Sequence, residues 1–318
     1  MNRVILAFAA TAALLTPAFA QTFVERPYDP PVGSRWQIIS RIDSAQERGT
    51  KTREQHVRST AELTIEQKLP DGFRIAYVCR SMTVTGDAPG SDAADKAFQV
   101  VKDVVIRART DRAGKPVVIE NLEEVRANMS SLVDKMVAEF ESKPEAAKFL
   151  RDLMQRTLSL DGEQAAQSYM EDIPVLASVQ NIGLKPNEAA RRFEEFPNPL
   201  DGTMRTVTVT KLREWDNAKG TAEYHQTREF DQDALRAFMG EFFRKLQPAT
   251  NGKMTPEVVA EMMKKIKFDM SSDTVFSVEG GMTRRVEEIT TTTIHLMGHA
   301  AIKTERKGIE VRPLPKAR

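Results

Sequence analysis

The sequence predicts an α+β protein: a twisted antiparallel sheet, or sheets, with amphipathic helices packed on one face, organised as two similar halves. Three observations predict it. Several stretches alternate apolar and polar residues with the period of two that a half-buried strand requires. Others repeat apolar residues at i, i+3, i+4 and i+7, the helical period. The two kinds do not follow the βαβα rhythm of a doubly wound dinucleotide fold, which leaves an antiparallel sheet with segregated helices.

The chain opens "MNRVILAFAATAALLTPAFAQTF", with Arg3, an uncharged stretch from Val4 to Leu15, and Ala18-Phe19-Ala20. A charged start, an apolar run too short to span about 30 Å of hydrocarbon and an A-x-A site predict a signal peptide over residues 1–20, cut after Ala20. Gln21 stands where a lipid-modified Cys would be needed, so a soluble periplasmic or secreted product is expected. No later stretch approaches the roughly 20 apolar residues of a membrane span.

Lys+Arg number 46 and Asp+Glu 45, and loss of Arg3 with the leader leaves a formally neutral chain. A neutral balance disfavours a nucleic-acid partner, which needs a basic surface to neutralise phosphates. The single cysteine, Cys79, permits no internal disulfide, so stability must come from packing.

In chain order, "ERPYDPPVG" reads as extended because its prolines fix φ and disfavour helix. "RSTAELTIEQKL" places Leu63, Ile65 and Leu69 on one face. The turn "LPDGF" follows, and "FRIAYVCRSMTVTG" returns with Phe73, Ile75, Tyr77 and Cys79 on one side, a hairpin. A second hairpin pairs Val104, Ile106 and Ala108 with Val117 and Ile119 around Ala113-Gly114.

The period switches at Asn121. Leu122, Val125, Met129, Leu132, Val133, Met136, Val137 and Phe140 mark a helix, with Asn121 and Glu124 spaced as a capping box. A further helix is expected from Ser142 and a shorter one from Asp161 to about Asp172. "IPVLASVQNIGLKPNEAARRFEEFPNPLDG" carries four prolines and reads as a connection with a short helix near Asn187 to Phe196. A boundary there divides the chain into an N-terminal half, 21–185, and a C-terminal half, 186–318, which could equally form one continuous domain.

Beyond it, strands are expected at Met204 to Glu214 and Thr221 to Phe230. One helix has the stripe Leu235, Phe238, Met239, Phe242, Phe243 and Leu246. Another starts at Thr255-Pro256, an N-cap followed by proline, and carries Val258, Val259, Met262, Met263 and Ile266. Three strands close the chain, at about 267–278, 282–296 and 299–311.

His295-x-x-x-His299 is the most chemical-looking motif. In one continuous strand the two residues would lie about 13 Å apart at roughly 3.3 Å per residue. In a hairpin turning at Met297-Gly298, Leu296 would pair with His299 and the imidazoles would fall on opposite faces. Neither arrangement can share a zinc with bonds near 2.0–2.1 Å, so no metal or other cofactor is assigned. Cys79 shares a face with Ile75 and Tyr77 and has no local histidine to activate it, which suits a buried hydrophobe better than a nucleophile. Asp231 and Asp233 precede a helix and read as capping groups. His56 and His225 are expected to face solvent. No P-loop, G-x-G-x-x-G, G-x-S-x-G or C-x-x-C occurs, and no catalytic residue is assigned.

Methionine is abundant in the helical segments, with Met129, Met136, Met154, Met170, Met239, Met254, Met262 and Met263 in or beside them. Thioethers repack around varied apolar shapes, which suits a lipophilic groove, although an ordinary helix–sheet core uses them as well. Long amphipathic strands with interposed helices behind an export signal, as in "AELTIEQKLPDGFRIAYVCRSMTVTG", resemble exported bacterial half-barrel proteins, the group that includes periplasmic lipoprotein carriers, and uncharacterised secreted bacterial proteins. The resemblance covers general layout and carries over no functional residue. The leading expectation is a non-enzymatic binding protein for an apolar ligand or acyl chain, held between sheet and helices and contacted by the helix stripes around Met129, Met136, Phe238, Phe242 and Met262. The alternatives are an envelope interaction module using strand edges or the tail "VRPLPKAR", and a hydrolase using His225 or His295.

Overall fold

The computed structural model describes residues 27–49, 51–87, 102–138, 158–197, 203–246, 255–296 and 299–315, with isolated positions between 147 and 155. The expected leader with its cleavage site, most of the helix expected from Ser142, and the Met297-Gly298 turn lie outside the described residues.

Among the described residues, eleven strands form one antiparallel sheet. They are β1 (Arg35–Arg48), β2 (Lys51–Leu69), β3 (Gly72–Gly86), β4 (Val105–Thr110), β5 (Pro116–Ile119), β6 (Ala189–Pro197), β7 (Thr203–Asp216), β8 (Thr221–Phe230), β9 (Lys267–Glu279), β10 (Met282–Leu296) and β11 (His299–Leu314). The helices among the described residues are α1 (Leu122–Ala138), α2 (Gly162–Tyr169), α3 (Asp172–Ala177), α4 (Gln232–Leu246) and α5 (Pro256–Lys265). The spatial order is β5-β4-β3-β2-β1-β11-β10-β9-β8-β7-β6. Two meanders, β1 to β5 and β6 to β11, meet where β1 pairs with β11 from Arg35↔Leu314 to Arg48↔Ala301.

This corrects the expected α+β class: the protein is mainly β, with helices inserted between strands. One reason lies at β6. "AARRFEEF" is composed of good helix formers, and Arg191 and Glu195 have the i,i+4 spacing of a helical ion pair. The segment is nevertheless a strand, held by a continuous antiparallel ladder to β7 from Ala189↔Lys211 to Pro197↔Thr203. Tertiary pairing overrides local propensity here.

Alternation sorts the strands into two faces. Trp36, Ile38, Leu63, Ile75, Phe276, Val286, Ile309 and Val311 share the inner face and are buried. The outer face is laced with ion pairs: Arg35 to Glu62 (2.8 Å), Arg80 to Asp103 (2.8 Å), Arg58 to Asp43 (2.8 Å) and Arg74 to Glu120 (2.9 Å). Hydrogen bonds from Arg80 and Arg35 hold the Glu62 carboxyl below its usual range, against the opposing effect of burial.

Two irregularities reset the alternation. The β2–β3 register shifts between Ile65 and Gln67, a bulge that moves the following residues to the other face. Leu69, expected beside Leu63 and Ile65, therefore pairs with Gly72 and lines an outer-face hollow with Arg74, Arg109 and Glu120. A second shift between Thr60 and Ala61 skips Arg80 and returns Met82 and Val84 to the inner face.

The segment after α3 ties the meanders together. Gln180 Nε2 donates to the Ala113 carbonyl (3.0 Å), Asn181 Nδ2 donates to the Arg112 carbonyl (2.7 Å), and the Tyr28 backbone N–H donates to Asn181 Oδ1 (2.6 Å). From β8, the Tyr224 hydroxyl donates to the Ile182 carbonyl (3.2 Å). At α1 the Asn121 side chain bonds differently from a capping box. Its Oδ1 accepts from the Arg107 N–H (2.9 Å), while its amide donates to the Val105 carbonyl and to Glu124.

Candidate functional site on the inner face

Paired residues of neighbouring strands point to the same side, so the inner face can be followed rung by rung across the sheet. One rung runs Leu212–Tyr224–Phe276–Val286–Ile309–Ser40. It is buried, and Met170, Ile173 and Leu176 at α2 and α3 belong to the same core. The next rung runs Thr210–Gln226–Thr274–Glu288–Lys307–Ile42. The inner surface thus changes from apolar to polar over a single step.

Asp172 marks the step. This first residue of α3 places Oδ1 2.8 Å from Lys307 Nζ, with side-chain exposures of 6% and 12%. The Ser40 hydroxyl donates to the same oxygen at 3.4 Å. Burial alone would push the Lys307 ammonium down, but the charges of Asp172 and Glu171 outweigh it and hold the group above its usual range. Nearby, burial and the Asp172 charge push the Cys79 thiol up to about 11. Cys79 is half-buried, and its Sγ lies 3.7 Å from the Thr60 and Ser81 carbonyls. It is a protonated, unactivated thiol at neutral pH.

On β7 the threonines face inward. Thr206, Thr208 and Thr210 are 1–3% exposed, while Val207 and Val209 between them are only half-buried. Gln226 Nε2 donates to Thr210 Oγ1 (3.0 Å) and Thr208 Oγ1 donates to Glu194 (3.0 Å). Leu235 and Met239 of α4 and Val259 of α5 are also buried, and the two helices pack together and against β7, β9 and β10.

Toward the far end of the strands the inner face opens. The rung Phe268–Ile294–Ala301–Arg48–Lys51 runs from half-buried apolar residues to exposed cations. Beside it, the rung Met270–Thr292–Lys303–Gln46–Arg53 is half-buried at Met270 and Thr292 and exposed and polar from Lys303 to Arg53. Gln46, Arg48, Lys51 and Arg53 line a pocket of about 380 Å³. Among the described residues no carboxylate forms an ion pair with Arg48, Lys51 or Arg53.

Of the residues expected to contact a ligand, Met129 is half-buried and packs against the core. The side chains of Met136, Phe238, Phe242 and Met262 lie outside the described residues. Their helices are not brought to one place: α1 touches β4, whereas α4 and α5 lie over the other meander. The basic tip was missed because its residues, all within "QERGTKTR", match no chemical motif; only the charge density of that stretch points to it.

The histidines are placed by their strands. His295 pairs with Ala300 and Leu296 with His299, so positions 295 and 299 belong to alternate faces of the ribbon. His225 Nε2 lies 2.7 Å from Asp273 and His56 Nδ1 2.7 Å from Asp43, both on the outer face. His225 is less open to solvent than expected, its side chain 19% exposed. Among the described residues no hydroxyl bonds to either imidazole, no group of three or more His, Cys, Asp or Glu converges as a metal site, and no helix is long and apolar enough to cross a membrane.

No protein-family model matches the chain, and no characterised protein matches it by sequence. Among solved structures it is similar to one described as lipid–protein interactions in lipovitellin, at 9% identity and a TM-score of 0.46, over 91% of this chain and 26% of that one. The chain thus spans about a quarter of lipovitellin. It is also similar to the COG4313 outer membrane channel from Pseudomonas putida F1, at 8% identity and a TM-score of 0.27, over 89% and 97% of the two chains. DynF, from the dynemicin biosynthesis pathway of Micromonospora chersina, is similar at 6% identity and a TM-score of 0.21, over 92% and 86%. These likenesses are distant, and no function passes through them to this chain.

Proposed function

We propose that the protein is an exported, non-enzymatic binding protein for an anionic amphiphile. The observation that carries this reading is the rung Phe268–Ile294–Ala301–Arg48–Lys51, which adjoins the basic pocket at the open end of the inner face. A carboxylate or phosphate head fits between Arg48, Lys51 and Arg53, where guanidinium groups offer paired donors. An acyl chain then lies across three strand spacings, about 14 Å at roughly 4.8 Å each, over Ile294 and Phe268. The polar rungs nearer Lys307 disfavour a chain running along the strands toward the core. Met129, Met136, Phe238, Phe242 and Met262 remain proposed contacts for longer chains.

The test uses laurate and dodecanol as probes, read by calorimetry. Laurate is expected to bind, and dodecanol to bind at least tenfold more weakly. Arg48→Glu together with Arg53→Glu is expected to remove the preference for laurate, and added salt to reduce it. Equal affinity for acid and alcohol, or laurate binding indifferent to the double variant, would refute the site. Intact mass of the protein from its native host tests export, since cleavage after Ala20 leaves Gln21 first.

A further inference from the structure

The two ends of the sheet are unlike. β5 is a four-residue strand packed against α2, and the adjoining β4–β5 turn accepts hydrogen bonds from Gln180 and Asn181. β6 is a nine-residue strand bonded to β7 along one side. Among the described residues no other segment hydrogen-bonds to its backbone. A long unpaired edge is a template for another strand, and proteins usually blunt it with charge, proline or a covering element.

The charges on β6 are not distributed as a simple deterrent. Its centre reads Arg191-Arg192-Phe193-Glu194-Glu195, a pattern that inverts about Phe193. If a second β6 runs antiparallel with Phe193 on the two-fold axis, Arg191 stands opposite Glu195 of the second copy, and Arg192 opposite its Glu194. The reciprocal pairs follow by symmetry, so four opposite-charge pairs form. Moving the axis by one residue sets Arg191 against Phe193 and destroys the match. Directly opposed unlike charges stabilise a ladder, while like charges destabilise it.

Phe193 gives the second indication. It is 78% exposed, far the most exposed large hydrophobic side chain among the described residues. Its only aromatic-face partner there is the Arg191 guanidinium, 5.4 Å from the ring centre. On the two-fold axis the two Phe193 residues become direct cross-strand neighbours, with Cβ atoms roughly 5 Å apart, so each covers the other.

We infer that the β6 edge is a self-association surface: two copies of this chain pair β6 to β6 antiparallel about Phe193 and extend the sheet across a two-fold axis. Such an isologous contact needs one patch that complements itself, and this segment does so in sequence, charge and exposure. The inference is independent of the basic pocket, which lies on the β1–β2 turn.

The experiment is sedimentation equilibrium of the full chain and two charge variants across a wide concentration range. The parent is expected to dimerise. Arg191→Glu places Glu opposite Glu at both outer positions, and Glu195→Arg places Arg opposite Arg. Each variant alone is expected to weaken the dimer roughly tenfold or more, while an equimolar mixture restores the parent affinity as a heterodimer. In a Cys79→Ser background, Phe193→Cys is expected to give an oxidised, disulfide-linked dimer across the axis. This readout holds even if a charge variant misfolds. A parent that stays monomeric, single variants that dimerise as well as the parent, a mixture that fails to recover, or no cross-link through position 193 would each overturn the inference.

Discussion

At the scale of single residues, the Asp172–Lys307 pair sets the chemistry of the inner face. Two charges removed from water cost several kcal/mol each, and their attraction repays this only when both are present. Lys307→Met is therefore expected to destabilise the fold by about 3–5 kcal/mol, since it strands Asp172. Adding Asp172→Leu should recover most of that loss, as measured by urea unfolding of both variants. Cys79 makes a pH-dependent prediction. Its folded pKa, pushed up to about 11, lies above the value of about 8.5 for an unfolded thiol. The folded state therefore keeps its proton longer. The thiol's contribution to stability is complete below the unfolded pKa and is lost as pH rises through the folded one. Alkylation of native Cys79 by iodoacetamide should be slow at neutral pH and reach half its limiting rate only near the folded value. A midpoint near that of an unfolded thiol would show the sulfur to be solvated. Sequence placed Cys79 correctly beside Tyr77. It could not place Asp172, whose partner is far along the chain and appears only when β11 lies under α3.

At the scale of elements, turn chemistry decides where the strands end. Gly72 closes the β2–β3 hairpin with its Cα against the end of β4. A Cβ there would lie 1.9 Å from the Thr110 carbonyl oxygen and 2.7 Å from that of Asp111. Both obstacles are backbone, so Gly72→Ala must separate β3 from β4 and is expected to cost about 1–3 kcal/mol; an unchanged urea midpoint would contradict the tight approach. Sequence disclosed this hairpin through "LPDG", and the β7–β8 and β9–β11 ribbons through alternation, because their signals are local. It failed at β6, where a helical composition is overruled by pairing with β7. It also failed at Leu69, where a bulge that no local pattern announces turns the side chain to the other face. On β7, hydropathy would turn the valines inward, but the threonines are inside, and their hydroxyls give this part of the interior its polar character.

At the scale of the whole molecule, the expected class weighted the helices too heavily, since periodicity reveals each element but not how many strands will join one sheet. The joining seam is long, with β1 paired along its length to both β2 and β11. Its amides at the core end, near Ile38 and Ile309, are expected to exchange hydrogen among the slowest in the protein, and those of the four-residue edge strand β5 among the fastest. Uniform exchange across all eleven strands, followed by mass spectrometry, would contradict a sheet organised around that seam. The sixth of eleven positions in the sheet belongs to β11, the strand furthest along the chain. During translation, then, ten strands can leave the ribosome before the one that must sit between their two groups. Until it arrives, the nascent chain carries two unfinished ribbons with adhesive flanks, and this interval is when a chaperone would be needed most.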